Sequence, residues 1–220
     1  MSAKKSHIWW IAVAMVTLTS ATADARIRYR DLRDPNMDYT QKGFQIYAGL
    51  GGQSYTIDDD DYDYLDELDS DGSFFFGLAL GIDRSISLFF EGNGSEHNTP
   101  QGDMTFGYGH FGIKYAPNSG YRHLWQPYGK VSFGGVFLWE DQTRYAMRHR
   151  HEDDNGYFGP SVGLALGIDK FIGRRTALFA EVGMLSGQLD TRVINDDDYE
   201  LADDIAITSG RVQFGLRFRL

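Results

Sequence analysis

The stretch SFFFGLALGID, residues 73–83, alternates large apolar side chains with small or polar ones. The bulky apolar positions are Phe74, Phe76, Leu78, Leu80 and Ile82. The positions between them hold Phe75 and otherwise small or acidic residues. Because successive side chains of a β-strand point to opposite faces, this period of two predicts a strand with one apolar face.

The same alternation recurs from Phe44 to the end of the chain in segments of about ten residues, as in strands that cross a membrane. Eight such segments can be distinguished. Four connections between them are long and polar, at residues 57–72, 95–102, 141–155 and 187–204. Two are short, at residues 84–85 and 170–174. Long loops on one side and short turns on the other predict an all-β fold, an eight-stranded antiparallel up-and-down transmembrane β-barrel.

The two halves of the chain resemble each other. GLALGID occurs at residues 77–83 and again at residues 163–169. Two further repeats are less exact. LFFE at residues 88–91 matches LFAE at residues 178–181, and FGIKY at residues 111–115 matches FGLRF at residues 214–218. A four-strand unit used twice explains the even strand count. Convergence of similar strands on Gly and Leu, because a barrel demands them, is the alternative.

The first residues have the layout of a secretory signal peptide. Two lysines precede an apolar run over residues 8–18, and small residues follow it up to Ala23 and Ala25. This run is shorter than the about 20 residues of a membrane-spanning helix, so we expect cleavage after Ala23 or Ala25. The predicted organisation is a signal peptide at 1–25, an N-terminal periplasmic lead at 26–42 and the barrel at 43–220.

Composition excludes several function classes. The chain has no Cys, which removes disulfides and zinc-thiolate sites and fits passage through an oxidising periplasm. A net charge of -10 argues against a nucleic-acid partner, because phosphate binding needs a basic surface.

Seven ionisable residues share the strand face opposite the apolar set: Glu91, His110, Lys114, Lys130, Glu181, Arg211 and Arg217. On a lipid-facing position at the midplane, Lys or Arg costs about 2–4 kcal/mol. They are therefore expected to point inward, where an eight-stranded barrel is just wide enough for side chains. We expect a structural network of paired acids and bases rather than an open channel.

The chain, over residues 43–220, resembles the outer-membrane protein A transmembrane-domain superfamily, whose small eight-stranded barrels include the outer-membrane protein X type. Its most specific feature is the terminal strand, which looks like the C-terminal signal read by the barrel-assembly machinery; the apolar residues are Val212, Phe214, Leu216, Phe218 and Leu220. Such signals commonly end in Phe, whereas here Arg219 and Leu220 follow Phe218. The resemblance implies a Gram-negative outer membrane, the assembly machinery as a partner, and lipid and lipopolysaccharide as surroundings. We expect a monomer.

The long connections carry charge clusters. Two are acidic, with Asp58, Asp59, Asp60, Asp61, Asp63, Asp66, Glu67, Asp69 and Asp71 in the first and Asp196, Asp197, Asp198, Asp203 and Asp204 in the fourth. They could bind divalent cations, but the spacing lacks a calcium-loop pattern, which favours solvated acidic loops. The third connection groups Arg144, Arg148 and Arg150, which could contact lipopolysaccharide phosphates. A solvated basic loop fits equally well.

Three function classes stay open. The first is a non-enzymatic surface barrel with a role in envelope integrity or in contact with lipopolysaccharide, cations or a host. The second is a lipid A-modifying enzyme, for which His110 beside Glu91 is the only tempting pair. The third is a narrow pore or a path for a small apolar solute. The first is the prediction, with no catalytic, cofactor-binding or metal-binding residue.

Overall fold

The computed structural model describes residues 42–58, 68–98, 103–117, 125–141, 155–194 and 197–220. Its elements are the strands β1 (Gly43–Asp58), β2 (Leu68–Gly81), β3 (Ile86–Asn98), β4 (Asp103–Tyr115), β5 (Trp125–Asp141), β6 (Asn155–Phe171), β7 (Thr176–Ile194) and β8 (Asp197–Arg219). The predicted signal peptide and all but the last residue of the predicted lead lie outside these ranges. No helix within them is long and apolar enough to cross a membrane.

Each strand pairs antiparallel with the next, and β1 pairs with β8, which closes the sheet into a barrel in chain order. The closing seam runs from the pair Gln45 and Arg219 to the pair Asp58 and Ala206. At its turn end, the Leu220 backbone N–H donates to the Phe44 carbonyl at 3.0 Å. Closure leaves no unpaired sheet edge, so the predicted eight-stranded all-β architecture is confirmed.

The strands extend further toward the loop side than predicted. The interpretation of residues 187–204 as a polar loop is wrong, because β7 continues to Ile194 and β8 begins at Asp197. Leu189 within this mostly polar extension, and Ile205 and Ile207 just after it, face inward and are buried. A membrane-spanning strand needs only about 9–11 residues, so β7 and β8, with 19 and 23 residues, reach beyond the bilayer thickness.

The outer wall of the barrel is apolar. Large side chains there remain exposed, with Phe133 at 66% and Leu166 at 69%. Members of this belt occur on all eight strands, among them Leu50, Leu80, Leu88, Phe111, Val131, Leu164, Val182 and Phe214. Soluble monomers rarely expose an apolar surface larger than a few hundred Å², so this belt is a lipid-facing surface.

The lumen is divided into an apolar zone at the loop ends of the strands and an ionic zone below it. A cluster of buried residues fills the first zone: Tyr55, Ile57, Met104, Phe106, Tyr108, Val136, Leu138, Tyr157, Leu185, Leu189, Ile205 and Ile207. Below this cluster, several rings lie over inward glycines. A Cβ at Gly77 would overlap the Tyr47 ring, and one at Gly112 would lie 2.7 Å from Phe89 Cζ. Glycine is thus what makes room for aromatic packing inside so narrow a barrel.

Candidate functional site in the barrel lumen

Four side chains form a closed ring of ion pairs across the lumen. Glu91 lies on β3, Lys130 on β5, Glu181 on β7 and Arg211 on β8. Lys130 Nζ lies 2.7 Å from Glu91 Oε2 and 2.7 Å from Glu181 Oε2. Arg211 Nη2 lies 3.2 Å from Glu91 Oε1 and 3.3 Å from Glu181 Oε1. Each carboxylate therefore contacts both cations, and the ring carries no net charge.

Two tyrosine hydroxyls complete the ring. The Tyr108 hydroxyl donates to Glu91 Oε1 at 3.0 Å and accepts from Arg211 Nη1. The Tyr128 hydroxyl donates to Glu181 Oε2 at 3.0 Å. Burying an ion costs several kcal/mol unless its remaining lone pairs and protons are satisfied. These hydroxyls supply such partners to four charged residues that are each at most 6% exposed.

A second cluster lies nearer the turn end. Lys114 Nζ is 2.6 Å from Asp169 Oδ2, and Arg217 Nη1 is 2.6 Å from Asp169 Oδ1. Lys114 Nζ also lies 3.9 Å from the centre of the Tyr128 ring, a cation–π contact that connects the cluster to the ring of ion pairs. One buried carboxylate thus holds two cations. Both clusters together contain four cations and three carboxylates among the described residues.

Asp169 is the member that the sequence reasoning missed. Its signal was present, because Asp169 ends the second GLALGID copy and follows the inward positions Gly163, Ala165 and Gly167 at period two. Its side chain is 0% exposed. Continuing the alternation to the end of the segment would have placed it with the seven inward residues.

His110 lies between two serine hydroxyls. Its Nε2 is 2.7 Å from Ser161 Oγ and its Nδ1 is 3.0 Å from Ser132 Oγ. Gly134 stands between His110 and Ser161 in the sheet register, and a Cβ there would lie 2.7 Å from His110 Cδ2. The missing side chain therefore lets the imidazole reach across β5 to the serine on β6.

This arrangement does not assemble a nucleophilic triad in the described residues. A triad base needs a third group that orients it, usually a carboxylate on the second ring nitrogen. Both nitrogens of His110 face serines, whereas the Glu91 carboxylate is bound by Lys130, Arg211 and Tyr108. His110 is also 1% exposed, so a substrate has no direct access to it.

The structure places the seven predicted residues together inside the barrel. All are 6% exposed or less: Glu91, His110, Lys114, Lys130, Glu181, Arg211 and Arg217. Six of them form the two ionic clusters, and His110 bonds with serines instead. Within the described ranges, no group of three His, Asp or Glu side chains could hold a metal ion.

The predicted loop sites lie largely elsewhere. Arg144, Arg148 and Arg150 fall outside the described residues, as do residues 59–67 of the first acidic connection. In the fourth acidic connection, Asp197, Asp198, Asp203 and Asp204 lie on β8 rather than in a loop. The reason is that the β7–β8 backbone pairing continues up to the pair Ile194 and Asp197.

The closed eight-stranded barrel has counterparts among solved structures. It is similar to Neisserial surface protein A (NspA), with a TM-score of 0.59 and 12% identity, over 81% of this chain and 98% of that one. It is also similar to the outer membrane protein OprG from Pseudomonas aeruginosa, with a TM-score of 0.53 and 13% identity, over 84% of this chain and 99% of that one. The fold is that of the small outer-membrane barrels.

At these identities, the likeness of this small outer-membrane barrel to its neighbours concerns the fold alone. No protein-family model and no curated protein matches its sequence. What it does must therefore be argued from its own lumen and wall.

Proposed function

We propose that this chain is a non-enzymatic bacterial outer-membrane barrel whose lumen is blocked, so that it acts through its wall and its loop side in envelope integrity or surface contact. Residues 1–25 would direct export, and the barrel-assembly machinery would insert the mature chain as a monomer. The lipid-facing belt and the fold support the membrane location.

The observation that carries the proposal is the ring of Glu91, Lys130, Glu181 and Arg211. These four side chains reach across the lumen from β3, β5, β7 and β8. On the loop side of these ion pairs, aromatic side chains fill the lumen. Among them, the side chains of Phe106 and Tyr55 are stacked, with 4.7 Å between their ring centres. A solute or ion passing through would have to break buried ion pairs and displace packed aromatics.

Planar-bilayer recording tests the blocked lumen. We expect flat current at all voltages from the refolded full chain. Slower migration after heating on a gel, the behaviour of folded barrels, verifies insertion in the same preparation. Stable conductance steps from heat-modifiable protein would contradict the proposal and favour a pore.

The lipid A-modifying alternative has its own test. Mass spectrometry of lipid A from cells with and without the protein should give the same acyl pattern. A His110→Ala variant serves as the matched control, because it removes the imidazole that lies between the Ser132 and Ser161 hydroxyls. An acyl change that depends on His110 would overturn the non-enzymatic proposal.

The loop-side partners remain part of the proposal. Lipopolysaccharide phosphates would meet Arg144, Arg148 and Arg150, since guanidinium groups bind phosphate bidentately. Divalent cations would gather at the acidic connections near residues 58–71. Binding of purified lipopolysaccharide that is unchanged when the three arginines are replaced by serine would contradict the first of these contacts.

A further inference from the structure

A groove of about 620 Å³ lies in the outer wall of the barrel, across β3, β4 and β5. Its floor contains Gly92, Gly109 and Gly135, which are neighbours in the sheet register. Gly94, two residues along β3, extends the floor. A Cβ built at Gly94 or Gly109 would meet no atom within 4 Å, so the space above the floor is empty.

Aromatic rings stand on both sides of this floor. Phe76 pairs with Gly92 on the β2 side, and Phe90 lies below it. On the other side Phe137 covers Gly107, and the Phe158 ring centre lies 6.3 Å from that of Phe137. The glycine floor therefore spans three neighbouring strands, which is two strand spacings or roughly 10 Å, and aromatic side chains border it on both sides.

The outward glycines of the groove floor differ from the inward ones below the apolar cluster. Inside the barrel, Tyr47 fills the space at Gly77 and Phe89 the space at Gly112. Outside, the described residues offer no side chain for the space above Gly109. Glycine weakens a strand and often marks a place where a ligand approaches the backbone closely. Adjacent outward glycines on three strands therefore point to an occupant from outside the chain.

The position of the groove identifies the chemistry of that occupant. The groove is continuous with the lipid-facing belt, and no charged side chain of the described residues lines it. Tyr108 and Asn93 contribute to its floor, but their side chains are 2% and 6% exposed on the lumen face of the wall. A headgroup would find no counter-charge here, whereas a hydrocarbon chain would contact rings on both sides.

We propose that this groove binds one acyl chain of a membrane lipid, in the leaflet on the loop side of the barrel. The proposal rests on the membrane location proposed above. The loop-side leaflet follows from Phe137 and Phe158, which lie near the loop ends of β5 and β6. Filling the groove with leucine side chains should then displace the lipid without disturbing the fold.

Native mass spectrometry of the full chain in detergent with added dimyristoyl phosphatidylethanolamine tests the proposal. The test variant is Gly109→Leu/Gly135→Leu, where the nearest atom to a new Cβ is the Gly159 carbonyl at 3.7 Å. The control is Gly52→Leu/Gly210→Leu, also outward, outside the groove and with 3.7 Å or more of room. We expect one lipid retained by the wild type and the control, and loss of most of it in the test variant.

Equal lipid retention in all three proteins would overturn the proposal. A wild-type dimer that the test variant abolishes would also overturn it, because a second copy would then be the occupant. Retention of a small apolar solute such as dodecane in place of the lipid would do the same. If heat modifiability were absent from the wild type, the proposed membrane function itself would fail, which is a separate result.

A second measurement needs no glycine variant. The Trp139 ring lies 6.4 Å from that of Phe158 at the groove, whereas Trp125 lies at the turn end. In bilayers of lipid brominated on the acyl chain, Trp125→Phe protein, which keeps Trp139, should be quenched more strongly than Trp139→Phe protein. Trp9 and Trp10 lie in the predicted signal peptide and are the same in both proteins. Equal or reversed quenching would contradict an acyl chain held in the groove.

Discussion

The two copies of GLALGID have the same seven residues but end in different places. In the first copy, β2 ends at Gly81 and Asp83 lies in the exposed turn. In the second copy, β6 continues to Phe171 and Asp169 is buried in the lumen. A sequence repeat therefore reproduces the strand but does not determine the role of its last residue.

The difference arises from where each hairpin turns. In the first hairpin, the N–H groups of Ile82 and Asp83 donate to the Ile86 carbonyl. In the second, the N–H groups of Ile172 and Gly173 donate to the Thr176 carbonyl in the same way. Counted from the start of each copy, β6 thus ends four residues later than β2, two residues past Asp169. Because β6 has not yet turned at Asp169, the alternation that places Ala165 inward still holds there and keeps Asp169 inward.

The two halves of the chain supply equivalent cations to the lumen but do not supply equivalent carboxylates. Lys114 and Arg217 occupy equivalent positions in the repeated FGIKY and FGLRF segments. With Asp83 in the turn, none of the described carboxylates at this level of the lumen comes from the first half. Asp169 therefore serves the cations of both halves, with Lys114 and Arg217 each bound to it.

The largest expected effect comes from removing that shared carboxylate. Asp169→Asn removes the carboxylate that both buried cations contact, and we expect a loss of about 3–5 kcal/mol in the free energy of unfolding. Urea titration in lipid vesicles measures it. Asp83→Asn is the matched control from the other copy and should lose far less. Similar losses at both positions would contradict the asymmetry.

Replacing all three charged residues of the cluster by apolar ones tests whether unpaired charge causes the loss of stability in Asp169→Asn. Replacing a whole buried ion cluster by apolar residues of similar volume is often neutral or stabilising. Lys114→Met/Asp169→Leu/Arg217→Met should therefore recover most of the stability lost in Asp169→Asn. If it did not, the loss in the single variant would come from packing at β6 rather than from unpaired charge.

Removing either cation separately should cost less, because the cluster has one cation in excess. Arg217 approaches both oxygens of Asp169, whereas Lys114 approaches one. A hydrogen bond to a charged group is worth about 1.5–3 kcal/mol, so we expect Arg217→Met to lose the larger amount within this range. The same urea titration compares the two. A larger loss of stability for Lys114→Met would contradict the prediction that Arg217, from the second half of the chain, binds Asp169 more strongly than Lys114 does.

Gly77 and Gly163 are the first residues of the two copies. We expect them to differ, for steric reasons, in how much stability is lost when each is replaced by alanine. A Cβ at Gly77 would overlap the buried Tyr47 ring, while one at Gly163 would meet the Ser132 hydroxyl at 2.6 Å. A rigid ring cannot move as easily as a hydroxyl rotates. We expect Gly77→Ala to lose about 1–3 kcal/mol through overpacking and Gly163→Ala to lose less. Thermal unfolding of both alanine variants in one detergent would check the order.

Much of the fold could be predicted because the alternation is a local property with a large energetic consequence. Placing Lys or Arg on the lipid face at the midplane would cost about 2–4 kcal/mol, so the facing follows from single residues such as Lys130 and Arg211. The length of β7 and β8 could not be predicted in this way. Their polar extension satisfies its backbone by pairing across the hairpin, and that pairing leaves little trace in composition.

The ionic site shows the same limit. Period two predicts which side chains enter the lumen, but it does not say which of them meet across it. His110 was considered with Glu91, its neighbour in the register, yet the structure pairs it with Ser132 and Ser161. That contact depends on the absent side chain at Gly134 and on a strand two positions away.

The smallest expected effect concerns Asp83, the exposed counterpart of Asp169. The N–H groups of Ser85 and Ile86 donate to Asp83 Oδ1 at 2.6 and 2.7 Å, which holds the pKa of its carboxyl below its usual range. A pKa lowered by folding stabilises the protein above the unfolded value of about 3.9. This contribution is lost as the pH falls through the folded pKa.

Titration of the Asp83 carboxyl carbon by NMR, in the folded chain in micelles, measures this shift directly. The midpoint should lie below that of a free aspartate, and Ser85→Pro, which removes one donating N–H, should raise it. Asp83→Asn keeps an acceptor oxygen but no charge, so its stability should lack this acid-dependent loss. An ordinary midpoint for Asp83 would mean that the turn is formed by the backbone alone, and that the two copies differ only in where their strands end.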